Sequence, residues 1–286
     1  MRAQAMTCAA SGAKSGPHPA TDYPRLTTRS YLFAPTDAHA QTTRLIATAA
    51  AMTGFMKGEP GVARDGWYGP GAGNLGLLHQ LRDTLAATYP EAGPPFWAVR
   101  LWTNLIWQPA YLAVIAVHLH GAVPDLSGLS QQRRGLYIDG FRLDPQPMKS
   151  ADTVTMIAHA GSQLKTMTDA MLAEVNAVEK LRPLPAKRLL ADRMLGLMVW
   201  LQQRDRRLSN EEIERFAALW LAQLDLTGQG ALQTVEARGH RLVIVQRKGC
   251  CLDYLLDPAQ LCATCPRQDD AVRVARQTAN ALAELG

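Results

Sequence analysis

The sequence predicts an α+β fold, rich in helix, with a few antiparallel strands in hairpins and a cysteine-rich C-terminal segment. Three observations predict it. Apolar residues recur every three or four positions over long stretches, as at Val154, Ile157, Gly161, Leu164, Met167, Met171, Val175 and Val178. Two shorter stretches, "GLYIDGFRL" and "QTVEARGHRLVIVQRKG", carry strand formers around a turn dipeptide. Four of the five cysteines lie between Cys250 and Cys265.

The elements follow in order. Residues 1–40 read as a loosely ordered leader, broken by Pro17, Pro19, Pro24 and Pro35. "TTRLIATAAAMTGFM" suits a helix, and "GEPGVARDGWYGPGAGNLG" (58–76) reads as a long Gly/Pro loop. In "LGLLHQLRDTLAATY", Leu77, Leu78, Leu81 and Leu85 mark a second helix, and the apolar stretch over about 96–119 marks a third. Asp139-Gly140 is the expected hairpin turn inside "GLYIDGFRL". The long period from Val154 to Val178 is a helix with a core face, whose methionines need no cofactor to explain them. Pro183 and Pro185 separate it from a helix through Leu189, Leu190, Met194, Leu197, Met198 and Leu201.

Ser209 with Glu212 three residues later is a capping-box signature opening a further helix. A hairpin turning near Arg238-Gly239 comes next, then the cysteine segment and a final helix from about 269 to 285. The expected organisation is therefore the leader (1–40), a helix-rich domain with a short hairpin (41–233), and a hairpin joined to the cysteine segment and last helix (234–286).

Several function classes recede on composition. The chain has 286 residues, 47% of them hydrophobic, so it can build a core without cysteine staples. A net charge of +5 suits anionic ligands or acidic partners, but the basic residues are scattered and no Lys/Arg run is broken by aromatics, so no nucleic-acid partner is expected. Arg204, Arg206 and Arg207 read as the solvated end of a helix. The N-terminal stretch lacks the apolar run of a secretory signal, so none is expected; its Ala/Ser/Thr content faintly resembles a transit peptide, and a frayed tail is the preferred reading. The uncharged stretch Leu101–Pro124 is interrupted by Asn104, Gln108, Pro109, His118 and His120. It reads as a buried core helix, with a membrane span as the lesser reading and peripheral membrane association left open. The expected location is the cytoplasm, where clustered thiols bind metal or do redox work.

The chemistry concentrates in "KGCCLDYLLDPAQLCATCPR", residues 248–267. A Cys-x-x-Cys turn such as Cys262 to Cys265 converges two thiolates on one centre, and four thiolates complete a zinc site or an iron–sulfur cluster. The first pair, Cys250-Cys251, has no spacer. Consecutive Cα atoms lie 3.80 Å apart with side chains diverging in an extended chain, so both reach one centre only if the backbone bends. Gly249 permits that bend. A two-iron cluster is a larger target than one zinc ion and is met more easily by adjacent thiols, while structural zinc remains an alternative.

Cys-Cys, ten residues, then Cys-x-x-Cys resembles the siderophore ferric reductases of the FhuF family, as do the flanking "VQRKGCCLDY" and "LCATCPR". The resemblance covers about twenty residues. It implies that Cys250, Cys251, Cys262 and Cys265 hold a [2Fe–2S] cluster. It also implies an oxidoreductase that reduces siderophore-bound Fe(III) to Fe(II), releasing iron inside the cell. Hard oxygen donors hold Fe(II) far more weakly than Fe(III), so one electron suffices. Partners would be the ferric siderophore and an external electron-donor protein or reductant. Arg247, Lys248 and Arg267 would stabilise the reduced, more anionic cluster, unless they are merely solvated charges. Two other readings stand beside this one: an iron–sulfur sensor or electron-transfer protein without a siderophore substrate, and a protein with a structural four-cysteine zinc site.

Weaker signals remain. "GAGNLG" (71–76) fits G-x-G-x-x-G but lacks a preceding strand and a ribose-binding acid, so it reads as a Gly-rich turn. His118 and His120 read as helix-end histidines bonded to backbone, with metal ligation the lesser option. Trp97, Trp102 and Trp107 read first as core, then as a pocket lining. Cys8 is incidental.

Overall fold

The computed structural model describes residues 37–69, 73–257 and 260–285; most of the expected leader, with Cys8, lies outside them. Regular structure begins at α1 (Ala38–Thr53), where the Asp37 side chain accepts from the N–H groups of His39 and Ala40. β1 (Gly58–Pro60) follows, then α2 (Leu75–Thr88), α3 (Gly93–Ile115), β2 (Leu129–Arg134), β3 (Tyr137–Leu143), α4 (Thr153–Val178), α5 (Pro183–Arg204), α6 (Asn210–Gln223), β4 (Ala231–Ala237), β5 (His240–Gln246) and α7 (Asp270–Ala283). The fold is α+β, dominated by helix, as predicted.

α3 is the central post, packed by α1, α2, α4 and α5. Fourteen of its residues are buried, among them Phe96, Leu101, Trp102, Leu105 and Leu112. Each fully buried side chain of this size contributes about 1.5–3 kcal/mol. Trp102 is 2% exposed and satisfies its indole N–H on the Ala186 carbonyl at 3.1 Å, locking α3 to the first turn of α5. α3 runs on into one π-helical turn, Ala116–His120. No helix among the described residues is long and apolar enough to cross a membrane.

The first sheet corrects the sequence reading twice. Gly58–Pro60, expected as loop, forms β1 and pairs parallel with β3. A Cβ on Gly58 would lie 2.4 Å from the Phe141 ring, so the side chain of β3 excludes anything larger than glycine there. The hairpin turn lies between β2 and β3, where Gly135 has a φ of 60°, and not at Asp139-Gly140. Asp139 and Gly140 are inside β3, with Gly140 at a φ of 92° near the register shift between Gln131 and Arg133. The dipeptide marked a positive-φ glycine correctly, but that glycine serves an irregular strand.

The second hairpin forms as predicted. β4 and β5 pair from Ala231↔Gln246 to Ala237↔His240, and Arg238 and Gly239 both take positive φ, as a two-residue hairpin turn requires. The other edge of β5 is met by α7. Gln277 donates to the Val245 carbonyl and accepts from the Val245 N–H, replacing a strand partner at that position. α6 carries the full capping box between Ser209 and Glu212. β5 leads straight into Arg247 and the cysteines.

Candidate metal centre

Asp192, on α5, fixes the chain as it leaves β5. Its Oδ1 accepts from the Lys248 N–H at 3.1 Å; its Oδ2 accepts from the Gly249 N–H at 2.7 Å and from Arg247 Nε at 3.2 Å. Both charged side chains are withdrawn from water, with 6% of Asp192 and 12% of Arg247 exposed. Burial pushes the Asp192 carboxyl up to about 6, against the pull of Arg247 and the two backbone donors. Three donors on one carboxylate give a buried charge the satisfaction it requires.

Gly249 is needed for close approach. A Cβ there would lie 2.6 Å from Asp192 Oδ2 and 2.9 Å from the Leu189 nitrogen. The positive φ near the adjacent cysteines falls instead at Leu252, directly after them, with a φ of 62°. That conformation costs an L-residue about 1–2 kcal/mol. A short 3-10 turn, Asp253–Leu255, follows.

Asp253 anchors the other side of the segment. Arg100 Nη2 on α3 lies 2.5 Å from Asp253 Oδ1, with 23% and 18% of the two side chains exposed. Burial pushes the Asp253 carboxyl up to about 6, against Arg100, and the neighbouring Cys251 adds to the rise. The cysteine segment is thus clamped to α5 through Asp192 and to α3 through Arg100.

Between the clamps the four thiols gather without a disulfide; Cys251 and Cys265 are buried, Cys250 and Cys262 half-buried. The Cys265 N–H donates to the Cys262 carbonyl at 2.9 Å, closing the Cys-x-x-Cys turn. Gln268 donates to the same carbonyl at 2.7 Å and is itself held by Arg276 at 2.5 Å. The hydrogen bond between Cys251 and Cys262, with burial added, pushes the Cys262 thiol far above the ordinary range. Burial also raises Cys250, against a backbone bond to Leu252, and Cys251 and Cys265 add to the rise. Sulfurs crowded in this way resist ionising together unless a cationic centre joins them.

Of the three basic residues expected beside the cysteines, Arg247 reaches a sulfur: its Nη1 lies 3.9 Å from Cys262 Sγ and 3.5 Å from Thr264 Oγ1. Lys248 Nζ donates to the Gly228 carbonyl at 2.8 Å, and Arg267 lies 4.2 Å over the Tyr254 ring. Arg100, Asp192 and Asp253 were not read from sequence as site residues. A signal existed for Asp192, an acid inside the apolar run "RLLADRMLGLM" that helical spacing buries.

The remaining candidates lie elsewhere. His118 takes its hydrogen bond from the Trp220 indole at 3.1 Å and packs 4.8 Å from Phe216, where backbone bonding had been expected. Burial brings both His118 and His120 down to about 4, with the Arg44 charge adding at His120. Trp97 donates to the Tyr89 carbonyl and Trp107 to the Ile138 carbonyl. Gly71 of "GAGNLG" lies outside the described residues. Asn74 of that motif donates to Glu174 on α4 at 2.7 Å, and Glu174 also accepts from Tyr68. The motif therefore borders a structural tie between the loop and α4.

Among the described residues, no three His, Cys, Asp or Glu side chains form a ready-made site for a single metal ion. The donor set around Cys250 to Cys265 fits a two-iron cluster: four thiols on one clamped segment, partly shielded from water, with a guanidinium directed at one sulfur. No solved structure matches the chain. Residues 247–267 match the family model for the FhuF 2Fe-2S C-terminal domain, which indicates a [2Fe–2S] cluster and is consistent with a FhuF-like family member.

Proposed function

We propose that the protein is a ferric-siderophore reductase that delivers one electron to chelated Fe(III) and releases the metal as Fe(II) inside the cell. Cys250, Cys251, Cys262 and Cys265 are the ligands in this reading. The observation that carries it is the placement of these thiols in a segment matching the FhuF 2Fe-2S domain and clamped to two helices. When bound, the [2Fe–2S] cluster supplies a one-electron carrier.

The chain's own residues supply the rest. Asp192 and Gly249 hold the first cysteine pair against α5, and Arg100 with Asp253 holds its far side against α3. Arg247 offsets negative charge at the Cys262 sulfur, which favours the reduced state. Most of the thiol surface is covered, so water has limited access to the sulfurs. No acid, base or nucleophile is required, because the reaction moves an electron and leaves the weaker affinity of oxygen donors for Fe(II) to loosen the metal. The electron comes from an external donor.

The test is anaerobic purification followed by metal and labile-sulfide analysis and a visible spectrum. The expected protein is coloured, holds two irons and two sulfides per chain as a [2Fe–2S] centre requires, and once reduced is reoxidised by a ferric siderophore with Fe(II) trapped by a chelator. A colourless protein with one zinc would overturn the proposal. A cluster that no ferric siderophore reoxidises would favour a sensor.

A further inference from the structure

The N-terminal end of α5 carries charge of one sign beside the cysteine segment. Lys180, Arg182, Lys187 and Arg188 fall within nine positions, and no acid stands between Lys180 and Asp192. None of the four forms an ion pair among the described residues. Lys187 reaches the Asp225 carbonyl at 3.5 Å, while the Asp225 carboxylate is taken by Lys165 at 3.2 Å. Arg188 buries its Nε with no hydrogen-bond partner among the described residues. Helix polarity makes this an unfavourable place for cations, because the first turn is already the positive end. α5 has no acid in that turn, and its N-cap, Arg182, makes no side-chain capping bond.

An apolar knob projects from the middle of this charge. Pro183, Leu184 and Pro185 are all exposed, Leu184 by 48%. Three consecutive exposed apolar residues call for a function. Leu184, Arg188 and Asp192 share one row of α5 at four-residue spacing. Asp192 is the residue that holds Arg247, Lys248 and Gly249. Leu184 thus lies about 12 Å along the helix from that anchor, at 1.5 Å per residue. Closer still, Gly249 lies against the backbone of Arg188 and Leu189, and the next residue is the half-buried Cys250. Lys248, also exposed, adds a fifth cation.

We propose that this surface is where the electron donor docks, and that the donor is an acidic one-electron carrier protein. This rests on the reductase reading. The step served moves one electron: the partner's carrier is oxidised by one, the cluster of this chain is reduced by one, and no bond forms or breaks. An apolar centre inside a charged rim is the anatomy of a protein interface, whereas small ligands fill concave clefts. Opposite charge speeds the encounter and orients the partners. A second copy of this chain, docked through the same face, would set cation against cation. Carboxylates of an acidic partner complete the cations that the helix itself disfavours.

The experiment uses the full chain with its cluster and an acidic flavodoxin, both oxidised so that no electron moves, with binding read by titration calorimetry. The wild type should bind, with Kd rising about tenfold or more from low to physiological salt. Leu184→Asp, and the pair Arg182→Glu with Lys187→Glu, should each raise Kd by about tenfold or more. The pair places acids at the start of a helix and so keeps or raises the stability of the chain, which separates docking from folding. It also serves if Leu184→Asp loses the cluster. Pre-reduced flavodoxin should reduce the cluster about tenfold more slowly in both variants, with reduction by dithionite unchanged. No binding by the wild type, a Kd indifferent to salt, or an unchanged Kd in the variants would overturn the proposal. So would variants that lose binding to phosphatidylserine vesicles and keep the flavodoxin Kd, which would mark a membrane surface. A wild type that docks flavodoxin and takes its electron, but is reoxidised by no ferric siderophore, would sink the reductase reading and leave the docking site standing.

Discussion

Asp192 and Arg247 form a buried ion pair, 3.2 Å from Oδ2 to Nε, at the point where β5 gives way to the cysteines. The same carboxylate holds the N–H groups of Lys248 and Gly249, so one side chain of α5 sets three consecutive residues. Asp192→Ala leaves a buried guanidinium uncompensated and two backbone donors open, a loss of about 3–5 kcal/mol. Asp192→Asn keeps one acceptor and should cost less. Denaturant unfolding gives the stability, and iron content after anaerobic purification reports the site. Equal stability of the alanine variant and the wild type would show that the clamp contributes nothing.

Gly249→Ala places a methyl group 2.9 Å from the Leu189 nitrogen and 3.0 Å from the Arg188 carbonyl carbon, both backbone atoms of a helix that is not free to shift. The segment must move instead, at about 1–3 kcal/mol, the usual range for overpacking. Cys250 moves with it. The expected result is a folded protein with lowered iron and sulfide per chain, read by metal and sulfide analysis beside far-UV circular dichroism. Full cluster occupancy in this variant would mean that the fit at α5 does not position the cysteines.

Much of this was legible in the sequence, and the missing parts share a cause. Period and capping residues located the helices, since Ser209 with Glu212 and the Val154 to Val178 stripe act locally. The cysteine spacing located the centre for the same reason. What escaped depends on contacts far apart in the chain. β1 forms because Gly58 lies against Phe141, 83 residues away. Asp192 meets Arg247 across 55 residues, and Arg100 meets Asp253 across 153. Leu252 takes a left-handed conformation that no local rule assigns to leucine, held by anchors on both sides. The sequence marks Gly249 for its backbone freedom, whereas its lack of a side chain is what the fold uses.

Arg247 links the clamp to the sulfurs, and its two contacts can be separated. Arg247→Lys keeps a positive charge but loses the fork that spans Asp192 and Cys262. Arg247→Gln removes the charge. A cation near a thiolate ligand stabilises the reduced, more negative state, so the midpoint potential should fall in the order wild type, lysine, glutamine. Redox titration followed in the visible range measures it. An unchanged potential in Arg247→Gln would leave Arg247 a structural role alone.

His118 gives the fold a pH dependence whose sign follows from its burial. Its Nε2 accepts from the Trp220 indole, and burial brings it from 6.5 to about 4, so the folded protein holds it neutral where the unfolded chain protonates. The unfolded state therefore binds more protons between about 4 and 6.5, and His118's contribution is complete above that window and lost as pH falls through it. At 1.36 kcal/mol per pH unit the window is worth at most about 3 kcal/mol. His120, also brought to about 4, acts in the same direction, while Asp192 and Asp253, raised to about 6, act in the opposite direction over much of the same range, so the stability of the wild type alone does not isolate His118. The difference between wild type and His118→Gln isolates the effect, because glutamine still offers the indole an acceptor and does not titrate. That difference should be constant above pH 6.5 and move in favour of the variant down to about pH 4. Urea unfolding of both proteins across this range provides the measurement, and a flat difference would show that His118 does not titrate with the fold.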